Sequence, residues 1–256
     1  MTDRYSKDEL STAGGPGIPF QPSKSGGIEI KHTGNPVHFK REIVQAEIVF
    51  VVDTTGSMSD KISGLMQTCS KFAAETVRRQ IACRMGILCF GDLTIQPPDK
   101  MVAFPLTPGA ERITNAFNVV LRKHGCCGGA NRGESSIDAL FKAMDLFGEN
   151  RQAVRVFLFF TDEPPLEPDT LGRSMRQAIG SCHERGITCF AVTVPDARFK
   201  ALAADTGGEW FHISPGVDFT VILDRLFPRV AERIEEIALQ LPQGGNRNGL
   251  PGARGK

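Results

Sequence analysis

Near-continuous apolar runs alternate along this chain with stretches in which apolar residues recur every three or four positions. "EIVFVVD" (47–53) is dense in β-branched residues, the pattern of a strand buried on both faces. Ile62, Leu65, Met66, Cys69, Phe72 and Ala73 then share one helical stripe, predicting a helix over about 59–80. "CRMGILCFGD" (83–92) and "MVAFPL" (101–106) read as two strands joined by a Pro-bearing loop, an antiparallel edge pair. Thr107-Pro108 has the form of a cap with proline at the first helical position, opening a helix to about 122.

"VRVFLFFTD" (154–162) is the most apolar strand and is expected near the centre of the sheet. Before it, Ile137, Leu140, Phe141, Met144 and Phe147 mark an amphipathic helix. After it come a helix near 169–185 and a strand, "ITCFAVTV" (187–194). Asp196 caps a short helix to about Ala204, and "EWFHI" (209–213) is the last strand. Phe219, Ile222, Leu223 and Leu226 form the final stripe, with Pro228 expected to kink or restart it before Val230, Ile234 and Ile237. This alternation predicts an α/β fold: a doubly wound, mostly parallel six-stranded sheet with one antiparallel edge strand and helices on both faces, Rossmann-like.

Composition sets the limits. At 256 residues and 41% hydrophobic, the chain can bury the core of one large domain, here 37–240. Residues 1–36, with "STAGGPGIPFQPSKSGG", read as a flexible Gly/Pro/Ser-rich arm, and 241–256, with Arg247, Arg254 and Lys256 and no acid, as a flexible basic tail. A net charge of +1 calls for neither nucleic acid nor an anionic membrane. No apolar run approaches the roughly 20 residues of a membrane span, and the N-terminus lacks a secretory stretch. Seven cysteines without a C-x-x-C pair read as free thiols, so a cytoplasmic location is expected. The adjacent Cys126 and Cys127, near His124, read as incidental exposed thiols rather than a redox pair.

Chemistry gathers where strands end. "DTTGSMS" (53–59) and "FFTDEPP" (159–165) each follow a very apolar strand, and open parallel sheets bind ligands at such carboxyl ends. Asp53, Thr55 and Ser57, spaced by two, can face one way while the chain is still extended. With Asp162 they form an all-oxygen set suited to a hard cation such as Mg²⁺ or Mn²⁺. Either segment taken alone is more readily a turn or a helix cap than a ligand; the two together at neighbouring strand ends favour the ligand reading. The glycine-rich loop "HGCCGGANRG" (124–133) is placed to add another oxygen.

"IVFVVDTTGSMS" resembles the opening of a von Willebrand factor type A domain with a metal-ion-dependent adhesion site, whose Asp-x-Ser/Thr-x-Ser pattern is matched by Asp53, Thr55 and Ser57. "VFLFFTDEPP" resembles the strand carrying that site's distal aspartate, here Asp162. "ERGITCFAVTVPDARFKALAADTGGEWFHI" resembles the family's closing strand, short helix, Gly-Gly and strand. The likeness runs in order over about 46–240. It departs in "GGANRGES", where Asn131 stands at the loop position that relatives fill with Thr or Asp, and Gly133 where proline is common. Asn131 would ligate through its side-chain carbonyl, a weaker donor to Mg²⁺ than a carboxylate; Ser135 and Ser136 are possible substitutes, though better read as caps of the next helix.

The resemblance implies protein binding rather than catalysis: an adaptor or scaffold whose metal captures an Asp or Glu of a partner protein. Intracellular relatives of this kind work beside AAA+ ATPases, or with kinase and phosphatase systems. The main rival is a haloacid-dehalogenase-like, Mg²⁺-dependent phosphotransferase using Asp53 as nucleophile, which wants a second carboxylate where Thr55 stands. No G-x-G-x-x-G or G-x-x-x-x-G-K-[ST] specifies a phosphate cradle.

Overall fold

The computed structural model describes residues 43–95, 101–109, 112–116, 118–119, 133–150, 152–214, 216 and 218–241. The expected arms lie outside the described residues, apart from Leu241. The strands are β1 (Val44–Asp53), β2 (Ile81–Phe90), β3 (Val102–Pro108), β4 (Val154–Thr161), β5 (Ile187–Thr193) and β6 (Trp210–His212). The helices named here are α1 (Ser59–Arg78), α2 (Ser136–Met144), α3 (Met175–Glu184), α4 (Ala197–Asp205) and α5 (Phe219–Gln240). The sheet has the order β3-β2-β1-β4-β5-β6, with only β3 antiparallel to its neighbour.

An unbroken apolar strand is explained by having two faces to fill. Alternate residues of β1 point to opposite sides of the sheet. Ile48, Phe50 and Val52 pack with Ile62, Leu65, Cys69 and Phe72 of α1 and Leu223, Leu226, Val230 and Ile234 of α5. Val49 and Val51 pack with Ile137 and Leu140 of α2, Ala178 and Cys182 of α3, and Phe199 and Leu202 of α4. Each such side chain, fully removed from water, contributes about 1.5–3 kcal/mol. The stacked rings of Phe72 and Phe227, with centroids 4.4 Å apart, join α1 to α5.

Two elements differ from the sequence reading. Thr107 and Pro108 do not open the expected helix, whose described residues are 112–116 and 118–119; they finish β3, opposite Met85 and Arg84. Proline is tolerated there because an edge strand leaves one side of its backbone unpaired. The register shifts between Met85 and Ile87, and Gly86 lies so close to the β3 backbone that an added Cβ would sit 3.1 Å from the Phe104 carbonyl oxygen. Pro228, for its part, lies inside an unbroken α5. The stripe buried on both sides of it, Phe219 to Phe227 and Val230 to Ile234, outweighs the lost hydrogen bond.

From β1 the chain first builds β2 and β3 on one side, then crosses to β4 on the other. The strand order therefore reverses between β1 and β4, the place where such sheets leave a crevice at their carboxyl ends. Asp53 ends β1, and Asp162 directly follows β4.

Candidate functional site

The pairing of Val52 with Phe160 carries Asp53 and Asp162 out of the sheet side by side. Asp53 is fully buried, and its Oδ1 accepts the Thr55 backbone N–H at 2.8 Å and the Thr55 hydroxyl at 2.7 Å. That is the Asx-type turn expected of an Asp followed by hydroxyl residues. The connection does not stop locally. Thr55 Oγ1 lies 3.4 Å from Ser57 Oγ, which donates across 105 positions of sequence to Asp162 Oδ1 at 2.8 Å. The structure thus brings together four of the sequence-predicted residues: Asp53, Thr55, Ser57 and Asp162. Asn131, with Cys126 and Cys127, lies outside the described residues.

Thr55 precedes the 3₁₀ turn Gly56–Met58 that leads into α1, but its hydroxyl makes no cap, because it is turned back to Asp53. The second Asp53 oxygen accepts the Thr161 hydroxyl at 2.7 Å. Every partner these bonds give Asp53 is neutral, and burial pushes its carboxyl up to about 6; the hydrogen bonds from Thr161 and Thr55 oppose this, while the charge of Asp162 adds to it.

Three residues that the sequence reading did not select also build the site, and a fourth repeats its turn on the neighbouring strand. Thr161 is one. Lys61, in the first turn of α1 and four positions after Ser57, donates to the Ser57 carbonyl at 2.8 Å and to Asp162 Oδ2 at 2.9 Å. Asp92, buried just beyond β2, repeats the first turn: its Oδ1 accepts the Thr94 N–H at 2.7 Å and hydroxyl at 2.6 Å. "DLT" (92–94) after an apolar strand was the available signal, since it has the form of "DTT" (53–55). Glu134 is buried and joins Pro165 in a parallel bridge, with its N–H donating to the Pro164 carbonyl at 3.0 Å and Leu166 N–H donating to its carbonyl at 2.9 Å. That bridge holds the segment after Asp162.

Gly133 sits at φ 106°, where an added Cβ would meet Leu166 Cδ2 at 2.9 Å. Proline, fixed near φ −65°, cannot take that conformation. Neither serine caps α2 as expected. Ser135 stands at the cap position without a side-chain cap bond, and its Oγ instead accepts the Leu93 N–H at 2.9 Å. Ser136 Oγ is buried and has no hydrogen-bond partner among the described residues.

Among the described residues no three His, Cys, Asp or Glu side chains cluster to hold a metal. The donors here are of another kind, two carboxylates and two hydroxyls. Around a Mg²⁺-sized ion with bonds near 2.0–2.1 Å, neighbouring octahedral oxygens lie about 2.9 Å apart. The step of 2.8 Å from Ser57 to Asp162 matches such an edge, and that of 3.4 Å from Thr55 to Ser57 is about half an ångström longer. The free thiols belong elsewhere: Cys69 and Cys182 are enclosed in the apolar layers, where burial pushes each up to about 12.

No family model matches this chain, and no curated protein matches it. Among solved structures it is similar to an aerotolerance-related membrane protein from Bacteroides fragilis, at 13% identity and a TM-score of 0.53, over 73% of this chain and 99% of that one. It is also similar to proximal thread matrix protein 1 from the mussel byssus, at 17% identity and a TM-score of 0.49, over 76% of this chain and 46% of that one. The second likeness is too loose to carry an argument. The first, at its low identity, establishes the α/β fold alone. No helix among the described residues is long and apolar enough to cross a membrane.

Proposed function

We propose that this chain is a protein-binding module of the von Willebrand factor A type, which holds Mg²⁺ or Mn²⁺ at Thr55, Ser57, Asp162 and Asp53 and uses it to capture an acidic side chain of a partner protein. The observation that carries this reading is the continuous oxygen row from Asp53 through Thr55 and Ser57 to Asp162, built from two segments 105 positions apart. A turn or cap needs only the local half of that row. When bound, the cation supplies a Lewis-acid position for an incoming carboxylate.

The chain's own residues supply the rest. Asp53 accepts the Thr55 hydroxyl proton and Asp162 accepts that of Ser57, which leaves lone pairs of both hydroxyl oxygens available to a cation. The start of α1 adds a positive field that favours an anionic ligand. AAA+ ATPases and kinase or phosphatase systems are proposed partner classes on the strength of the family resemblance. The phosphotransferase reading is less well supported, because that chemistry wants a second carboxylate as acid and base where Thr55 stands, and Thr55 donates its hydroxyl to Asp53.

Mn²⁺ titration followed by electron paramagnetic resonance tests the proposal. The wild type is expected to bind one ion and Ser57→Ala to lose it; equal binding by both would overturn the site. Protein capture from native lysate should then require Mg²⁺, be reversed by EDTA and vanish in Ser57→Ala. Hydrolysis of p-nitrophenyl phosphate that disappears in Asp53→Asn would restore the enzyme reading.

A further inference from the structure

Lys61 is the one charged group that the described hydrogen bonds place on this row of oxygens as a cation. Its Nζ donates to Asp162 Oδ2 at 2.9 Å and to the Ser57 carbonyl at 2.8 Å, while the other Asp162 oxygen is taken by Ser57 Oγ. The ammonium therefore touches both segments of the site. The pair is neither sealed nor loose: Lys61 is 25% exposed and Asp162 13%. An ammonium on a four-carbon stem can swing out to solvent without moving α1. No salt bridge among the described residues pairs a cation with Asp53, so the positive charge the site holds is directed at Asp162 alone.

We infer that Lys61 is an internal counter-cation, which neutralises Asp162 when no divalent ion is held and must withdraw from it when one binds. The inference rests on the metal-site reading above and adds its regulation. While the lysine is engaged, Asp162 cannot give its full charge to an entering ion, so affinity is held down. Once the lysine withdraws, two carboxylates face a divalent ion with the released ammonium still on the rim. The site then carries one surplus positive charge, which suits one incoming carboxylate and no more. Capture of an acidic side chain is thereby coupled to metal loading.

The experiment uses the full chain. Mn²⁺ affinity is measured for the wild type, Lys61→Met and Asp162→Asn. In parallel, the acetylation rate of Lys61 by an N-hydroxysuccinimide ester is followed by mass spectrometry in EDTA and in saturating Mg²⁺. Lys61→Met is expected to bind Mn²⁺ about tenfold more tightly, since a partly screened ion pair no longer has to be broken. Lys61 of the wild type is expected to be protected in EDTA and to react several-fold faster with Mg²⁺ present. In metal-free Asp162→Asn it should be reactive from the start. Unchanged or weaker Mn²⁺ binding by Lys61→Met overturns the counter-cation while leaving the metal site standing, provided Asp162→Asn abolishes binding. If the wild type binds no Mn²⁺, or Asp162→Asn binds as the wild type does, the metal site falls and the inference falls with it. Acetylation indifferent to both Mg²⁺ and Asp162→Asn overturns the inference directly.

Discussion

Strand β1 buries a carboxylate at each end, and the two are held in opposite ways. Near its start, Glu47 is 1% exposed and meets Arg84 Nη2 in a direct ion pair, the Gly148 N–H at 3.0 Å and Arg155 Nε at 4.0 Å. Arg155 goes on to donate to the carbonyls of Gly148 and Arg185, tying β4 to the loops beneath the sheet. At the other end, Asp53 has comparable burial but only hydroxyls and one N–H. Burial of a charge is tolerated when opposite charge is built in. Glu47 has that charge permanently. Among the described residues Asp53 has no such partner, and under the proposed function a bound cation would supply that charge.

The contrast can be broken most forcefully at the base. Glu47→Ala strands the mostly buried Arg155 and the Gly148 N–H, and should cost about 3 kcal/mol, with the half-exposed Arg84 adding little. Urea unfolding should show that loss equally with and without Mg²⁺. A loss that Mg²⁺ rescues would show the two ends to be coupled.

Next comes Asp53. A carboxyl whose folded pKa lies above its unfolded value loses stability as pH rises, because the unfolded chain gives up its proton first. With a shift from 3.8 to about 6, the metal-free chain should lose about 3 kcal/mol in all from this group, about 2 kcal/mol of it between pH 4 and 6 and almost nothing above pH 7. In EDTA at pH 7.5, Asp53→Asn should recover most of that loss and flatten the profile, as read by unfolding at each pH. A variant less stable than the wild type throughout would mean that Asp53 is compensated after all.

Smaller effects sharpen the picture. At Mg²⁺ ten times above its dissociation constant, the wild type should gain about 1.4 kcal/mol, measurable as a rise in Tm, while Ser57→Ala should gain none. Thr161→Val removes one neutral donor from Asp53 and should cost about 1 kcal/mol in EDTA at neutral pH, with less cost at pH 4, where the carboxyl is protonated.

Much of this was legible in the sequence because it is periodic or local. β1 and β4 announce themselves as strands with no polar face, and only a sheet covered on both sides accommodates that. Asp53, Thr55 and Ser57 could be read as one unit because their spacing matches extended chain. Lys61 could not, since its partner Asp162 is 101 positions away and helical lysines are ordinarily solvated. Asp92 stands out only when the ends of β1 and β2 are set side by side, since its turn repeats that of Asp53. Thr107-Pro108 misled for a physical reason: a cap and an edge-strand terminus ask for the same residues, and only the pairing with β2 decides between them. Pro228 misled because local propensity is outweighed by burial along the rest of α5.

The margins of the sheet carry a consequence of their own. One margin is β6, only three residues long; the other is β3, where Pro105 and Pro108 interrupt the run of backbone donors. Neither offers a foreign strand a ladder long enough to zip onto, so chains meeting at high concentration have little opportunity to polymerise through their backbones.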